Sequence, residues 1–245
     1  MGSKLDSKNF KVGIIIPAFN PNNQCLNELN NRLINVVKRY NYQIVIIDDG
    51  SSPEISLDNT HGKNIKILRH DRNIGKGAAL RSGFKYFIVD QPCDFIITLD
   101  SDLQHPPEII PSLIKACREG KGDLIIGYRK REPSKMPIHR ILSNILTSLI
   151  ISLLIGQLIR DSQCGYRLIK YSVLKRIALK EQGFQLESEL IIRVGWNKKK
   201  IGFVEIPTIY NKEKSSINNI YDTLNFMLMI FDLCKERIFH YVRAT

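Results

Sequence analysis

The chain has 245 residues, of which 43% are apolar and 24% are charged, and its formal net charge is +12. These proportions exclude an intrinsically disordered chain and fit one large α/β domain or two small ones. The positive charge favours a partner rich in negative charge, such as nucleic acid, an anionic membrane or a phosphorylated small molecule. A solvated basic surface without a dedicated partner is the alternative.

The cysteines and the N-terminus indicate a cytoplasmic protein. The five cysteines are widely scattered and lack the spacing of a zinc site or a redox motif, which favours reduced thiols. Residues 1–11 are polar and lack the apolar core of a secretory signal. We expect residues 1–10 to form a flexible segment and residues 11–217 to form the main domain.

The first half of the chain alternates short apolar runs with helical patterns. Strands are predicted at 12–16, 44–47, 65–68, 95–99 and 124–126, and helices at 24–39, 75–87 and 106–118. Pro17 is expected to stop the first strand. This alternation predicts a mostly parallel sheet with helices on both faces, which binds its ligands at the carboxyl ends of the strands. The acidic residues of the sequence are concentrated at those ends.

The second half contains a long apolar segment. Residues 141–159 carry no charge over nineteen positions, which is long enough to raise a transmembrane helix. Polar residues recur at helical spacing, however, and arginines flank the segment. The pattern favours an amphipathic helix over 136–159 at a membrane surface, with a helix packed on the sheet and a true span as alternatives. A C-terminal helix over 218–245 is expected to dock on the domain or on the membrane.

Asp100 and Asp102 are the sharpest chemical feature of the sequence. At positions i and i+2 of an extended chain, two side chains point to the same side. Two carboxylates held together repel each other unless a cation lies near them, and hard ions such as Mg²⁺ or Mn²⁺ take oxygen ligands. Gln104 adds a neutral oxygen nearby. The alternative is a solvated acidic loop that caps the following helix.

Two further clusters follow predicted strands. Asp48 and Asp49 start a segment rich in turn residues, where a carboxylate can accept hydrogen bonds from a nucleobase or ribose or can simply form a turn. Lys76 lies between two glycines, but Gly77 stands where a Walker phosphate loop needs Ser or Thr. We expect Lys76 to lie near a phosphate.

No nucleophilic triad and no histidine pair with metal-ligand spacing is visible in the sequence. The polar segment 161–167 follows the apolar helix. Its composition fits a tight turn and a functional loop equally well.

Together these clusters resemble the family 2 glycosyltransferases of the GT-A fold, and most closely their dolichol- and polyprenol-phosphate mannosyl- and glucosyltransferase branch. The resemblance rests on five segments in the family's order: 16–20 (IPAFN), 45–52 (VIIDDGSS), 73–78 (NIGKGA), 99–107 (LDSDLQHPP) and 164–167 (CGYR). It implies a nucleotide-diphospho-sugar transferase fold, with a mostly parallel Rossmann-like sheet flanked by helices and with amphipathic membrane-facing helices.

The resemblance also implies a role for individual residues. The nucleotide would be bound by Pro17, Ala18, Phe19, Asn20, Asp48, Asp49, Lys76, Asp100, Ser101 and Lys214. Asp100, Asp102 and Gln104 would hold Mg²⁺ or Mn²⁺ against the diphosphate. Arg129, Arg140 and Ser143 would lie near the phosphate of a lipid acceptor. Two positions depart from the family: Pro21 replaces a usual acid, and Lys212 or Lys214 stands for a usual arginine.

The implied reaction is an inverting displacement at the anomeric carbon. A lipid phosphate is already ionised and needs little or no general base. An alcohol acceptor would need one, and Asp161, Glu187 and Glu189 are then the candidates.

The sequence therefore predicts a metal-dependent hexosyltransferase that moves mannose or glucose from a GDP- or UDP-sugar to a polyprenyl or dolichyl phosphate. We expect it to be peripheral at the cytoplasmic face of a membrane. A GT-A enzyme acting on a sugar or protein hydroxyl is the first alternative, and a catalytically inactive membrane scaffold is another. No nucleic-acid partner is expected, since only the charge suggests one. The donor base, the sugar and the oligomeric state stay open.

Overall fold

The computed structural model describes residues 10–58, 64–130, 136–209 and 219–244. The strands are β1 (Lys11–Ala18), β2 (Asn41–Asp48), β3 (Ile65–Arg69), β4 (Phe95–Thr98), β5 (Leu124–Arg129), β6 (Arg167–Lys170) and β7 (Ile201–Ile206). The helices are α1 (Asn23–Val37), α2 (Lys76–Val89), α3 (Ile110–Arg118), α4 (Ile138–Ile155), α5 (Tyr171–Leu174), α6 (Leu186–Trp196) and α7 (Asn219–Ala244).

These strands form one seven-stranded sheet in the order β3-β2-β1-β4-β6-β5-β7. β6 runs antiparallel to both of its neighbours, β4 and β5, while the other pairs are parallel. The central strands are continuous apolar runs because helices cover both faces of such a sheet. β1, for example, is buried from Val12 to Ala18. The predicted α/β class with a mostly parallel sheet is confirmed.

β1 continues through Pro17, which corrects the prediction that Pro17 stops it. Pro17 is in register with Ile47 of β2, whereas the pairing of β1 with β4 ends at Ile15 and Thr98. The carbonyl of Ile15 accepts from Leu99 on the β4 side. Pro17 faces the same side two residues later, beyond the end of β4, so its missing N–H costs no ladder hydrogen bond.

The helix predicted over 106–118 begins later than expected. A 3₁₀ turn spans Pro107–Ile109, and α3 starts at Ile110 with Pro111 in its first turn. Proline fits there because the first N–H groups of a helix have no partner inside it. The later elements β6, α5, α6 and β7 were not predicted.

α4 has the opposite polarity to an ordinary surface helix, because its buried side is mostly polar and its exposed side is apolar. Its buried residues are Asn144, Ser148 and Ile151. The opposite side carries large apolar residues that are 41–76% exposed, and we call them the outer row of α4: Ile138, Leu142, Ile145, Leu146, Leu149 and Leu153. Within the described residues, α4 alone is long and apolar enough to cross a membrane, with a hydropathy of 1.8 and 17% of it buried.

α7 also exposes an apolar side. Phe226, Met229 and Leu233 are buried against the domain. Glu236 anchors the helix through Arg193 of α6 and Lys180, at 3.0 Å from each. The exposed side carries Tyr221, Leu224, Met227, Leu228, Phe231, Ile238 and Phe239.

Candidate active site

The polar clusters of the sequence meet at one edge of the sheet. β1, β2 and β4 end there, and the antiparallel β6 begins there, with Arg167 in register with Thr98. The Thr98 hydroxyl donates to the carbonyl of Gly165 at 2.8 Å. The reversed strand therefore brings the segment 161–166 against the carboxyl ends of the parallel strands.

Asp48 organises the turn after β2. Its buried carboxylate accepts from the backbone N–H groups of Ser51, at 2.8 Å, and Ile55, at 3.3 Å, and from the guanidinium of Arg69. Burial alone would raise the pKa of Asp48, but these hydrogen bonds hold it below its ordinary value. The turn interpretation thus fits Asp48, and its predicted contact with a nucleotide stays a prediction.

Asp49 joins this turn to the start of α2. Its carboxylate contacts Nδ1 of His70 at 2.7 Å and accepts from the N–H groups of Ile74, at 3.1 Å, and Gly75, at 2.8 Å. Asp49 is 3% exposed. It therefore fixes the loop that carries Lys76, whatever further contact it makes with a ligand.

The loop after β1 is tied to the same turn. The N–H of Asn20 donates to the Ser51 hydroxyl at 2.9 Å, and Oδ1 of Asn20 accepts from the N–H of Ser52 at 2.8 Å. Pro17 and Ala18 are buried beneath this loop, whereas Phe19 is 49% exposed. An exposed aromatic ring at the carboxyl edge of the sheet is suited to stacking on a flat ligand.

Lys76 lies between two carboxylates. Its Nζ is 2.7 Å from Oδ1 of Asp100 and 3.1 Å from Oε1 of Glu187. Burial alone would lower the pKa of Lys76, but the two carboxylates raise it. Burial alone would likewise raise the pKa of Asp100, and the charge of Lys76 lowers it to about 2. The sequence did not predict this pairing of Lys76 with Asp100.

Asp102 and Gln104 lie in a tight turn beside Asp100. Oδ1 of Asp102 accepts from the N–H of Gln104 at 3.0 Å, and the intervening Leu103 has a left-handed φ of 63°. Burial, and then the charge of Asp100, raise the pKa of Asp102 above its ordinary value. The surroundings therefore disfavour the charged form of Asp102, whereas Lys76 favours the charged form of Asp100.

Gly165 packs directly against the carboxylates of Asp100 and Glu187. A Cβ at this position would lie 2.9 Å from Oε1 of Glu187 and 3.0 Å from Oδ1 of Asp100. Only glycine leaves room for both carboxylates next to the chain.

Gly75 and Gly77 allow a close backbone approach, as the sequence suggested, but the approach is made by the protein. A Cβ on Gly77 would lie 2.5 Å from the carbonyl oxygen of Gly183. The carbonyl of Gln182 also accepts from the N–H of Ala78 at 2.9 Å. The segment before α6 thus packs on the first turn of α2 and fixes Lys76 next to Glu187.

Asp161 is held by protein donors on both oxygens. Arg129 donates to it from Nε at 2.9 Å and from Nη2 at 3.1 Å, and Nδ2 of Asn144 donates at 2.7 Å. Burial alone would raise the pKa of Asp161, but the charge of Arg129 lowers it. Asp161 thus connects β5 to the polar side of α4, and the segment 161–167 is a buried connection and not an exposed turn.

The two other candidate bases differ from each other. Glu189 accepts from the N–H groups of Lys180 and Glu181 and from Nε of Arg193, which makes it an anchor for α6. Oε1 of Glu187 is buried and receives no hydrogen bond from the described residues, although Lys76 is within ion-pair distance. Among the three candidates, only Glu187 contacts the Asp100 cluster directly.

The remaining predicted residues lie around this centre. Ser101 is half-buried between the two aspartates. Arg140 and Ser143 are on the first turns of α4, and Ser143 accepts from Nε2 of Gln163 at 3.3 Å. Lys212 and Lys214 lie outside the described residues.

The sequence assigned no role to Arg167, which holds the segment 161–166 in place beside the site. It is 2% exposed, and its guanidinium donates to the carbonyls of Ser162, Cys164 and Glu187. These bonds join the segment 161–166 to the start of α6. The 164–167 string (CGYR) was the available signal, but nothing in the sequence shows which carbonyls an arginine meets.

Comparison with known proteins identifies the family. The profile described as glycosyl transferase family 2 matches residues 13–178, more than half of the chain. The chain therefore belongs to glycosyltransferase family 2 and is a transferase.

Two archaeal relatives are similar over most of the chain. A dolichol-phosphate mannosyltransferase of Pyrococcus furiosus is 30% identical over 206 residues, which cover 80% of this chain and 55% of that protein. The chain thus matches little more than half of that relative's length. A UDP-N-acetylglucosamine–dolichyl-phosphate N-acetylglucosaminyltransferase of Methanococcus voltae is 31% identical over 228 residues, which cover 82% of this chain and 86% of the relative.

A solved structure shares the fold. Glucosyl-3-phosphoglycerate synthase from Mycobacterium tuberculosis, in complex with Mn²⁺, uridine diphosphate and glucosyl-3-phosphoglycerate, superposes with a TM-score of 0.61. It is 16% identical, and the match covers 89% of this chain and 75% of that one. The predicted GT-A fold is confirmed.

Proposed function

We propose that this glycosyltransferase moves a hexose, mannose or glucose, from a GDP- or UDP-sugar to a polyprenyl or dolichyl phosphate at the cytoplasmic face of a membrane. The observation that carries the proposal is the placement of Asp100, Asp102 and Lys76 together at the carboxyl edge of the sheet, with Nζ of Lys76 2.7 Å from Oδ1 of Asp100. The names of the archaeal relatives support the acceptor class.

The acidic pair fits a divalent cation. Carboxylate and amide oxygens suit Mg²⁺ or Mn²⁺, and a cation there would offset the burial and the charge of Asp100 that raise the pKa of Asp102. The described residues contain no group of three His, Cys, Asp or Glu side chains that would form a complete protein cage. Such a site suits Mg²⁺, which is bound by one or two carboxylates together with substrate phosphates. Asp100, Asp102 and Gln104 would hold the ion, and it would supply charge stabilisation for the departing diphosphate.

The nucleotide would bind over the turns after β1 and β2. Phe19 offers an exposed ring there, and Pro17, Ala18 and Asn20 shape the floor beneath it. Asp48 and Asp49 fix this floor through their hydrogen bonds, and Lys76, Ser101 and Lys214 would contact phosphate oxygens. The ion pairs with Asp100 and Glu187 hold the Lys76 ammonium close to where the diphosphate would lie.

The acceptor phosphate would lie on the side of the site nearest α4. Arg129, Arg140 and Ser143 belong to the end of β5 and the start of α4. Asp161 fixes the Arg129 guanidinium and is itself fully engaged, so it is poorly placed to remove a proton. An ionised phosphate acceptor needs no such base, which agrees with this arrangement.

The exposed apolar sides of α4 and α7 support attachment to a membrane surface. The outer row of α4 is opposite its polar anchor, so the helix offers its apolar side away from the protein. Arg140 within α4 and Arg160 just beyond it place positive charge beside this row. Basic residues near an anionic surface contribute about 1 kcal/mol each. Binding at the surface would bring the site to the depth of a lipid phosphate.

A hydroxyl acceptor is the second candidate function. It is favoured by the position of Glu187, whose buried Oε1 lies 3.1 Å from Nζ of Lys76 and beside Asp100. A carboxylate at this position would be the base that accepts the proton of the alcohol.

The deciding experiment is nucleotide release from a panel of UDP- and GDP-sugars, with Mn²⁺ or Mg²⁺ and with and without a polyprenyl phosphate. Release that requires both metal and lipid is expected. Metal-dependent release that ignores the lipid would move the acceptor to a hydroxyl. Loss of turnover in Glu187→Gln, with turnover kept in wild type, would then identify the base.

A further inference from the structure

His105 is buried directly behind the acidic pair and has no part in the proposed chemistry. It is 3% exposed. Its Nδ1 accepts a hydrogen bond of 3.0 Å from the backbone N–H of Asp100. The same nitrogen is 3.8 Å from Oδ2 of Asp100, which is too long for a hydrogen bond. The ring thus forms a hydrogen bond with the backbone of Asp100 and not with its carboxylate.

The hydrogen bond assigns the proton of the imidazole. Because the backbone N–H of Asp100 donates to Nδ1, Nδ1 carries a lone pair and the ring proton is on Nε2. Nε2 lies 3.9 Å from Sγ of Cys164.

Tyr166 holds the imidazole ring in place. The two rings are stacked, with centroids 5.2 Å apart and an interplanar angle of 27°. The Tyr166 hydroxyl donates to the carbonyl of Pro106 at 2.9 Å, which fixes the residue following His105. The turn from Asp100 to Pro106 is therefore closed at both ends against the segment 164–166.

We propose that His105 is a positioning residue for the metal site, which fixes the main chain of Asp100 so that the Asp100 and Asp102 carboxylates face one cation. The inference rests on the proposed function, because it assigns His105 a part in binding that cation. Without this acceptor the N–H of Asp100 would be unpaired in a largely buried place. The turn would then relax, and the two carboxylates would move apart.

The test is a matched pair of substitutions. In His105→Asn the amide oxygen occupies the place of Nδ1 and keeps the acceptor, whereas His105→Leu removes it at similar size. Mn²⁺ is titrated into each purified full-length protein, with GDP or UDP present, and free Mn²⁺ is followed by its electron paramagnetic resonance signal. We expect His105→Leu to weaken Mn²⁺ binding about 10- to 100-fold and His105→Asn to restore it.

Each outcome is decisive. Wild-type affinity in His105→Leu would overturn the positioning role alone, and so would equal weakening in both variants. A wild-type protein that binds no Mn²⁺ would overturn the proposed metal site itself. Folding is checked by circular dichroism. If His105→Leu does not fold, His105→Gln replaces it, because its amide oxygen is one bond further from the chain and misses the Asp100 N–H.

Discussion

Asp161 and Asp102 are two acidic residues at the same edge of the sheet, but their surroundings shift their pKa values in opposite directions. Asp161 receives a two-pronged ion pair from Arg129 and a hydrogen bond from Asn144, and its pKa is lowered. Burial, and then the like charge of Asp100, raise the pKa of Asp102. The fold thus stabilises the first charge and opposes the second.

The difference separates structure from function. A carboxylate whose oxygens are all matched by protein donors contributes to the fold and has little capacity for a ligand. A carboxylate whose charged form the fold disfavours is a candidate for binding a ligand of opposite charge. Both residues lie close to the site, and their partners distinguish them.

The largest expected effect is on stability, in Asp161→Asn. Removing one member of a buried ion pair leaves the Arg129 charge uncompensated, and we expect a loss of about 3–5 kcal/mol in the free energy of unfolding. Urea denaturation followed by circular dichroism measures it. Asp232→Asn, at an exposed position of α7, is the control and should change stability by less than about 0.5 kcal/mol. Equal stability of Asp161→Asn and wild type would show that the ion pair of Asp161 does not stabilise the fold.

The next effect is on activity, in Asp102→Asn. Loss of a predicted metal ligand should lower nucleotide release at least about 100-fold at low Mn²⁺. The folded state should be unharmed or slightly stabilised without metal, because a raised pKa means that folding disfavours the charged form. Kinetics and urea denaturation are measured on the same preparation. An active enzyme, or a destabilised one, would show that Asp102 resembles Asp161 after all.

The same contrast exists between helices, and it predicts a smaller effect on membrane binding. α1 buries Leu26, Leu29 and Leu33, whereas α4 exposes its outer row. Replacing Leu146 and Leu149 together with Gln removes about 1 kcal/mol of lipid contact for each half-exposed side chain, or roughly 30-fold in affinity.

Sedimentation with anionic lipid vesicles measures this change. Val89→Gln, at an exposed position of α2, should bind vesicles like wild type. Unfolding of the double variant should be unchanged, because neither leucine is buried. Vesicle binding equal to that of wild type would leave the outer row of α4 without a role in attachment.

The smallest effect concerns Glu236, a paired carboxylate nearer the surface. Hydrogen bonds from Arg193, opposed by partial burial, lower the pKa of Glu236 to about 2. Its stabilisation is therefore fully present above the unfolded pKa of about 4.3 and is lost as the pH falls through about 2. Glu236→Gln should cost about 1 kcal/mol or less at pH 7.

The pH dependence checks the sign of this contribution. The difference in unfolding free energy between wild type and Glu236→Gln should shrink as the pH is lowered from 5 towards 2. A difference that grows with acid would mean that the ion pair with Arg193 does not form in solution.

Much of the fold was readable because its strands are buried on both faces. β1, β2 and β4 are apolar runs followed by turns, and this pattern depends only on local sequence. β6 was not predicted because it has only four residues and its two ends, Arg167 and Lys170, are charged. Its partners are remote in the chain, so the local sequence carries little trace of its pairing.

The residue types of the site could be predicted from the sequence, but most of their side-chain contacts could not. The sequence placed Asp100 and Asp102 together as positions i and i+2 of an extended chain, whereas the structure has residues 101 and 102 in a turn after β4. It gave Asp161 as a candidate base, whereas the Arg129 pair that occupies it depends on tertiary packing. The contact of Lys76 with Asp100 depends on how α2 meets β4 at the sheet edge. Side-chain partners of this kind are set by the fold and not by spacing.

The place of β6 in the sheet has a consequence for how the chain folds. In the described sheet β4 and β5 pair with β6 and not with each other, and Phe95 pairs with Lys170. β6 therefore joins two groups of strands that are remote from it or from each other in the chain, and closing such long loops costs conformational entropy. The Asp100 turn packs on residues 164–166, which immediately precede β6. The candidate site thus depends on the same long-range pairing that joins the two groups of strands.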